Sequence, residues 1–221
     1  MKLKKLIGII SYLPDDEKIR KLRFELLLWL LQSCYRFNCD ILIVAQNYHE
    51  EELEKLRNKV ILDINDKLGI TGARKRLREV FLSLDYDYLI MLDDDCDIRA
   101  SDKGIQAYLS EIDEHPDSVL EFRGSLLKLY AISKSVYKEV DFRDDISAEA
   151  GTGFEDTIFV HDVRKKFPDK VRAFRCRYYG INEISKYTAD PLSTWYTDQD
   201  LPEMLKKTKS IVADNVNNLW C

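Results

Sequence analysis

Two periodicities alternate through the first half of the chain, and that alternation restricts the fold more than any other feature. Compact apolar runs, rich in β-branched residues, stand at 6–13 (LIGIISYL), 40–46 (DILIVAQ), 59–64 (KVILDI) and 86–92 (YDYLIML). Between them lie segments with helical spacing. Residues 17–36 carry Ile19, Leu22, Leu26, Trp29 and Leu30 on one side; 49–59 predicts a short, mostly solvated acidic helix; from Thr71 onward Ala73, Leu77, Val80, Phe81 and Leu84 line up. Strands of consecutive apolar residues separated by helices predict a parallel sheet covered on both faces. Such sheets bind ligands beyond the carboxyl ends of their strands.

The second half is less regular. It predicts a helix over 103–113, strands over 118–122, 124–133 and 171–180, a polar loop over 141–153, a helix over 155–167, and loop from 181 before a last helix near 201–214. No repeat or linker interrupts the 221 residues, which read as a single domain. Hydrophobic content of 45% and charged content of 33% exclude a disordered chain, and a net charge of −5 gives no reason to expect nucleic-acid affinity. Five scattered cysteines (Cys34, Cys39, Cys96, Cys176, Cys221), with no CxxC, argue against a disulfide framework or structural zinc and fit a reducing cytoplasm. The apolar run after the N-terminal lysines leads into Pro14-Asp15-Asp16, which fits a first strand better than a signal peptide. LLLWLL is far shorter than the roughly 20 residues of a membrane helix, which leaves peripheral contact at most.

The chemistry concentrates at LIMLDDDCDI, residues 89–98. Alternation along an extended backbone sends Asp93 and Asp95 to one side and Asp94 to the other. Two converging carboxylates suit a hard divalent cation, Mg²⁺ or Mn²⁺, whose open positions take phosphate oxygens. A solvated acidic turn capping the next helix accounts for the same acids. A second acidic pair, Glu155-Asp156, follows a glycine-containing loop at a helix start. The helix dipole favours acids there, and a general base is the functional alternative. A basic segment, GITGARKRLREV (69–80), puts Arg74 and Arg78 on one face with Lys75 beside them; the amides near Thr71 and Gly72 could face an anion.

Together these pieces resemble the GT-A glycosyltransferases, in particular the family-2-like inverting enzymes. The resemblance spans roughly residues 5–180 and rests on LIGIISYL, GITGARKR, the D-x-D in LDDD and the E-D pair in GTGFEDT. It implies an α/β fold with a Rossmann-like nucleotide-binding half (about 1–100) and an acceptor-binding half with a C-terminal tail (about 101–221), around a mixed central sheet with helices on both faces. It also implies roles. Asp93 and Asp95 would hold Mn²⁺ or Mg²⁺, with Asp95-x-Asp97 the alternative register; Asp93 and Asp94 would lie near ribose or sugar. Ser11, Tyr12 and Asp63 would line the base pocket, and Arg74 would lie near base or phosphates. Asp156 would be the base, with Glu155 beside it. The donor would be a UDP-sugar and the acceptor a glycan, a lipid-linked saccharide or a protein.

No membrane segments or acceptor loops of processive synthases accompany these motifs. The rival enzyme, a nucleotidyltransferase making sugar nucleotides, needs a glycine-rich phosphate loop after the first strand, and SYLPDD supplies none. The non-enzymatic rival is a module that binds a nucleotide sugar without turning it over. His161 lies about 140° from Asp156 around its helix and does not pair with it. His49 and His115 read as surface, and Cys96 as a small filler. Arg175 or Arg177 could meet a diphosphate, and Trp195 and Tyr196 could stack on a sugar. Oligomeric state is open, and a homo-oligomer is compatible with these features.

Overall fold

The computed structural model describes residues 2–94, 98–99, 102–122, 129–143, 155–174 and 182–183. Its elements run β1 (Lys5–Tyr12), α1 (Glu17–Tyr35), β2 (Asp40–Gln46), α2 (Glu50–Leu56), β3 (Ile61–Asn65), α3 (Gly69–Ser83), β4 (Tyr88–Asp93), β5 (Ile98–Arg99), α4 (Asp102–Glu114), β6 (Val119–Phe122), β7 (Tyr130–Ser133), α5 (Lys134–Tyr137), α6 (Glu155–Lys166), β8 (Val171–Phe174) and β9 (Asn182–Glu183).

Seven strands form one mixed sheet in the order β3-β2-β1-β4-β7-β6-β8, with helices on both faces. β3, β2, β1 and β4 are mutually parallel, β7 runs against β4 and β6, and β8 returns parallel to β6. The expected parallel half therefore forms with every strand in place. The second half supplies the antiparallel strand that makes the sheet mixed. Two features escaped the sequence reading. Ile98 and Arg99 pair with Glu183 and Asn182 in a two-stranded sheet, where only loop was expected after 181. The strand expected over 124–133 gives way to the short helix α5 after Ser133, whose hydroxyl accepts from the Val136 amide. The expected helix near 201–214 lies outside the described residues, as do 175–180 of the strand expected to start at Val171.

Residue alternation sorts the core into two layers. Ile7, Ile9, Ile43, Ile90 and Leu92 pack under α1 and α4. Leu6, Ile10, Val44, Leu89 and Met91 pack under α3, α5 and α6. Gly8 lies between Leu6 and Ile10 on the second face, and it lets α3 approach β1 closely. A Cβ there would stand 2.7 Å from Leu89 Cδ1 and 2.8 Å from Leu77 Cδ1, and both leucines are buried. Among the described residues no helix is long and apolar enough to cross a membrane.

Gly8→Ala should therefore overpack the interface between β1 and α3. We expect a loss of about 1–2 kcal/mol, read as a lower urea midpoint at unchanged slope.

Candidate functional site

The site lies where the four parallel strands end. β4 closes at Asp93 and turns at Asp94. Asp93 sits beside Ile10 of β1 and continues the Leu89–Met91 side, so it projects towards α3. There Arg74 Nη2 donates to its Oδ1 at 2.9 Å. Arg74 is only 2% exposed, and the Asp93 side chain is 23% exposed. A buried guanidinium is tolerated because a carboxylate balances it, and the carboxylate in turn is fixed at the strand end. Arg74 also lies over the Phe142 ring, 5.8 Å from its centroid. Phe142 stacks on Phe159 at 4.2 Å with ring planes 10° apart. Phe159 belongs to α6, whose first turn carries Asp156.

Asp94 takes the opposite direction. It continues the Ile90–Leu92 side and is 7% exposed. Ser11 Oγ donates to its Oδ2 at 2.6 Å, and Arg23 Nη2 reaches its Oδ1 at 3.3 Å. Tyr48, just past β2, stands 2.6 Å from Ser11 Oγ. Burial, and then the nearby Asp94 carboxylate, push the Tyr48 phenol far above its ordinary range. The alternation expected from the sequence thus holds at the first two acids: Asp93 and Asp94 lie on opposite sides of the sheet. Arg23 and Tyr48 were not singled out in the sequence. Nothing local marks them, because α1 and the loop after β2 meet Asp94 only once the sheet has formed.

The other expected residues distribute as follows. Tyr12, at the end of β1, lies on the α3 side with the Lys67 ammonium 5.3 Å from its ring centroid. Ser11 is 2% exposed, its hydroxyl engaged with Asp94 and Tyr48. Asp63 stands level with Val44, Ile10 and Asp93, but on the edge strand β3, three strand spacings or about 14 Å from β4. Arg76 grips it with two hydrogen bonds of 2.7 and 2.8 Å, and Asn65 Nδ2 adds a third at 2.7 Å. Partial burial pushes the Asp63 carboxyl up; Arg76 and Asn65 outweigh it and hold it below the usual carboxylate range. Asp156 is half-buried in the first turn of α6. Asp95, Cys96, Asp97, Arg175, Arg177, Trp195, Tyr196 and residues 144–153 of the loop expected over 141–153 lie outside the described residues, as does the Glu155 side chain.

α3 begins near these groups without a side-chain cap and with no acid in its first turn. Thr71, in that turn, is buried, and its Oγ1 makes no hydrogen bond among the described residues. An uncapped helix start with amides and a hydroxyl to offer can take an anion. The donors at the described end of β4 are carboxylates, which suit a hard divalent cation rather than a thiol-seeking one. Asp93 keeps partial exposure while Arg74 holds one of its oxygens, so the residues fit such an ion.

Two features elsewhere are less suited. Glu111, Glu114 and His115 bring ligand atoms within 4.8 Å of one another on the last turn of α4, but Arg172 already takes Glu111 at 3.1 Å. A cavity of about 450 Å³ lined by Lys2, Lys4, Lys5 and Cys39 opens at the start of β1, the wrong end for a parallel sheet.

Comparison with known proteins yields likeness in fold alone. No protein-family model matches the sequence, and no curated protein matches it. S. aureus TarS 1-349 in complex with UDP-GlcNAc superposes with a TM-score of 0.57 at 15% identity, over 93% of this chain and 65% of that one. A second TarS structure gives 0.56 at 12% identity, over 93% of this chain and 43% of TarS. The chain thus spans less than two thirds of these TarS chains. A protein of Desulfovibrio desulfuricans G20 assigned as a nucleotide-diphospho-sugar transferase gives 0.56 at 12% identity, over 95% of this chain and 97% of its own. The fold is GT-A-like, as the sequence motifs suggested.

Arg74→Met should leave Asp93 without its cation at similar side-chain volume. We expect a loss of about 3 kcal/mol in urea unfolding, the lower end of the range for a broken buried pair because Asp93 is partly exposed. A second expectation concerns acid. Glu52 is also held below its ordinary range: burial raises it, while the Arg20 fork and the His49 amide outweigh that. For Asp63 and Glu52 the folded values lie below the unfolded ones. Their contribution is therefore whole above about pH 5 and drains away as pH falls through the carboxylate range. Replacing both partners, Arg20→Met with Arg76→Met, should flatten the dependence of stability on pH between about 3 and 5.

Proposed function

We propose that this chain is a glycosyltransferase that moves a sugar from a nucleotide-sugar donor, a UDP-sugar foremost, to a hydroxyl of a glycan, lipid-linked saccharide or protein, acting as one domain. The observation that carries the reading is the arrangement at the end of β4. Asp93 is paired with buried Arg74 of α3, a helix that starts without a side-chain cap, on a sheet whose parallel strands all end there. The GT-A-like fold and the UDP-GlcNAc bound by one fold neighbour support it.

The reaction follows from the residue types. The acceptor hydroxyl attacks the anomeric carbon, the bond to the diphosphate oxygen breaks, and the nucleoside diphosphate departs with the electron pair. Asp156 accepts the hydroxyl proton, which makes a weak nucleophile adequate. Its place is the first turn of α6, and acids are commonly found at helix starts. The first turn of α3 meets the donor's negative charge, with Arg74 holding Asp93 in place from the buried side. Asp93 and Asp95 are the residues that would hold Mg²⁺ or Mn²⁺, which when bound offsets the charge on the leaving diphosphate. Attack from the face opposite the diphosphate would invert the anomeric centre. The segment Leu13-Pro14-Asp15-Asp16 between β1 and α1 offers no glycine-rich loop for a nucleotidyltransferase.

Thermal shift with UDP, ATP and NAD, each with and without Mn²⁺, tests the reading. Stabilisation of several degrees by UDP with Mn²⁺, and by neither ATP nor NAD, is expected, and no response to any nucleotide would reject it. Asp156→Asn should keep UDP binding and lose at least about a hundredfold in transfer or donor hydrolysis. Transfer at the parent rate would remove the base assignment.

A further inference from the structure

We infer that Ser11, Arg23, Tyr48 and Asp94 form an internal positioning network that sets the end of β4, and that none of the four contacts the nucleotide. The inference rests on the reading of the β4 acids as the donor site.

Each oxygen of Asp94 is already committed to protein. Oδ2 accepts from Ser11 Oγ at 2.6 Å, and Oδ1 faces Arg23 Nη2 at 3.3 Å. A serine hydroxyl has one hydrogen, and a carboxylate can only accept. The Ser11 hydrogen therefore goes to Asp94, and Tyr48 O–H donates to Ser11 Oγ across 2.6 Å. The chain of contacts joins four elements: the end of β1, the segment after β2, α1 and the end of β4. Asp94 and Ser11 are 7% and 2% exposed. Both project to the α1 side, away from the face on which Asp93 meets Arg74.

Asp94 is thus spent on the scaffold, while Asp93 before it faces the other way. What it governs is the point from which the backbone continues to Asp95. Buried hydrogen-bonded networks of this kind hold one geometry, because any unmade bond leaves a desolvated polar group. A metal-binding carboxylate next to such an anchor inherits its precision. Partners that orient a ligand from behind commonly change metal affinity about 10- to 100-fold when removed.

Titration calorimetry on the full chain with UDP, alone and with Mn²⁺, tests this in the parent and in Tyr48→Phe, Arg23→Met and Arg23→Lys. UDP affinity without metal should stay within about twofold of the parent in all three. The tightening of UDP by Mn²⁺ should fall about tenfold in Arg23→Met, by a smaller factor in Tyr48→Phe, and recover in large part in Arg23→Lys. A matching loss of metal-free UDP affinity would make these residues nucleotide contacts and overturn the inference. A lowered Tm with the Mn²⁺ effect intact would overturn it too, leaving a purely structural role. If Arg23→Met does not fold, Tyr48→Phe decides, since it removes a single hydroxyl. A parent that binds UDP equally with and without Mn²⁺ overturns the inference but spares the nucleotide reading; a parent that binds no UDP overturns both.

Discussion

The ion pair between Arg74 and Asp93 is the contact on which the site is built. Arg74 is almost wholly buried beneath α3, an environment that charges enter only with a partner. The partner is the last residue of β4. Helix and strand are thereby fixed to each other at the level where the parallel strands end. Gly8 contributes from below, letting α3 lie close enough on β1 for the arginine to reach across. One missing side chain on the sheet and one long side chain on the helix together decide where the acid stands.

From the same guanidinium an aromatic path leads to the other acidic centre. Arg74 lies over Phe142, Phe142 stacks on Phe159, and Phe159 meets Tyr130 and Tyr137 edge-on. Phe142, Phe159, Tyr130 and Tyr137 are all buried. Offset and edge-to-face ring pairs each contribute about 0.5–1.5 kcal/mol beyond their area, and close packing leaves little room for independent motion. α6, with Asp156 in its first turn, is therefore linked through Phe142 to the residue that holds Asp93. The strand and helix that carry these two acids, more than sixty residues apart in sequence, pack into one layer of the core.

How much of this the sequence disclosed depends on the range of the interactions. β2 was legible to the residue, and the other parallel strands within about two residues at either end. Buried parallel strands are written as unbroken apolar runs, a local signal. Asp93 and Asp94 could be placed on opposite faces by counting alone. Arg74 could be marked as basic and near the helix start, but its burial could not be foreseen, because that depends on an acid nineteen residues later. Arg23 and Tyr48 carried no signal at all. In sequence they are one more charge on a charged helix and one more tyrosine in a polar loop. Ser11 was noticed for standing at a strand end, and the structure gives its hydroxyl two protein partners. The two-residue pairing of β5 with β9 is a further contact that only the folded chain reveals.

The sheet's alternation also explains why the adjacent Asp93 and Asp94 need not repel one another as the bare sequence suggests. Asp93 is taken to the α3 side and meets Arg74; Asp94 is taken to the α1 side and meets Arg23 and Ser11. A sheet of backbone and its packed side chains separates the two carboxylates, and each has a cation of its own. The strand end thus carries two acids in separate compartments, one spent on α1 and one open in part to solvent. Charge that would be costly if pooled becomes affordable when a pleat divides it, which is why an apolar strand can run straight into an acidic cluster. Of these two acids, Asp93 on the α3 side is the one that keeps partial access to solvent.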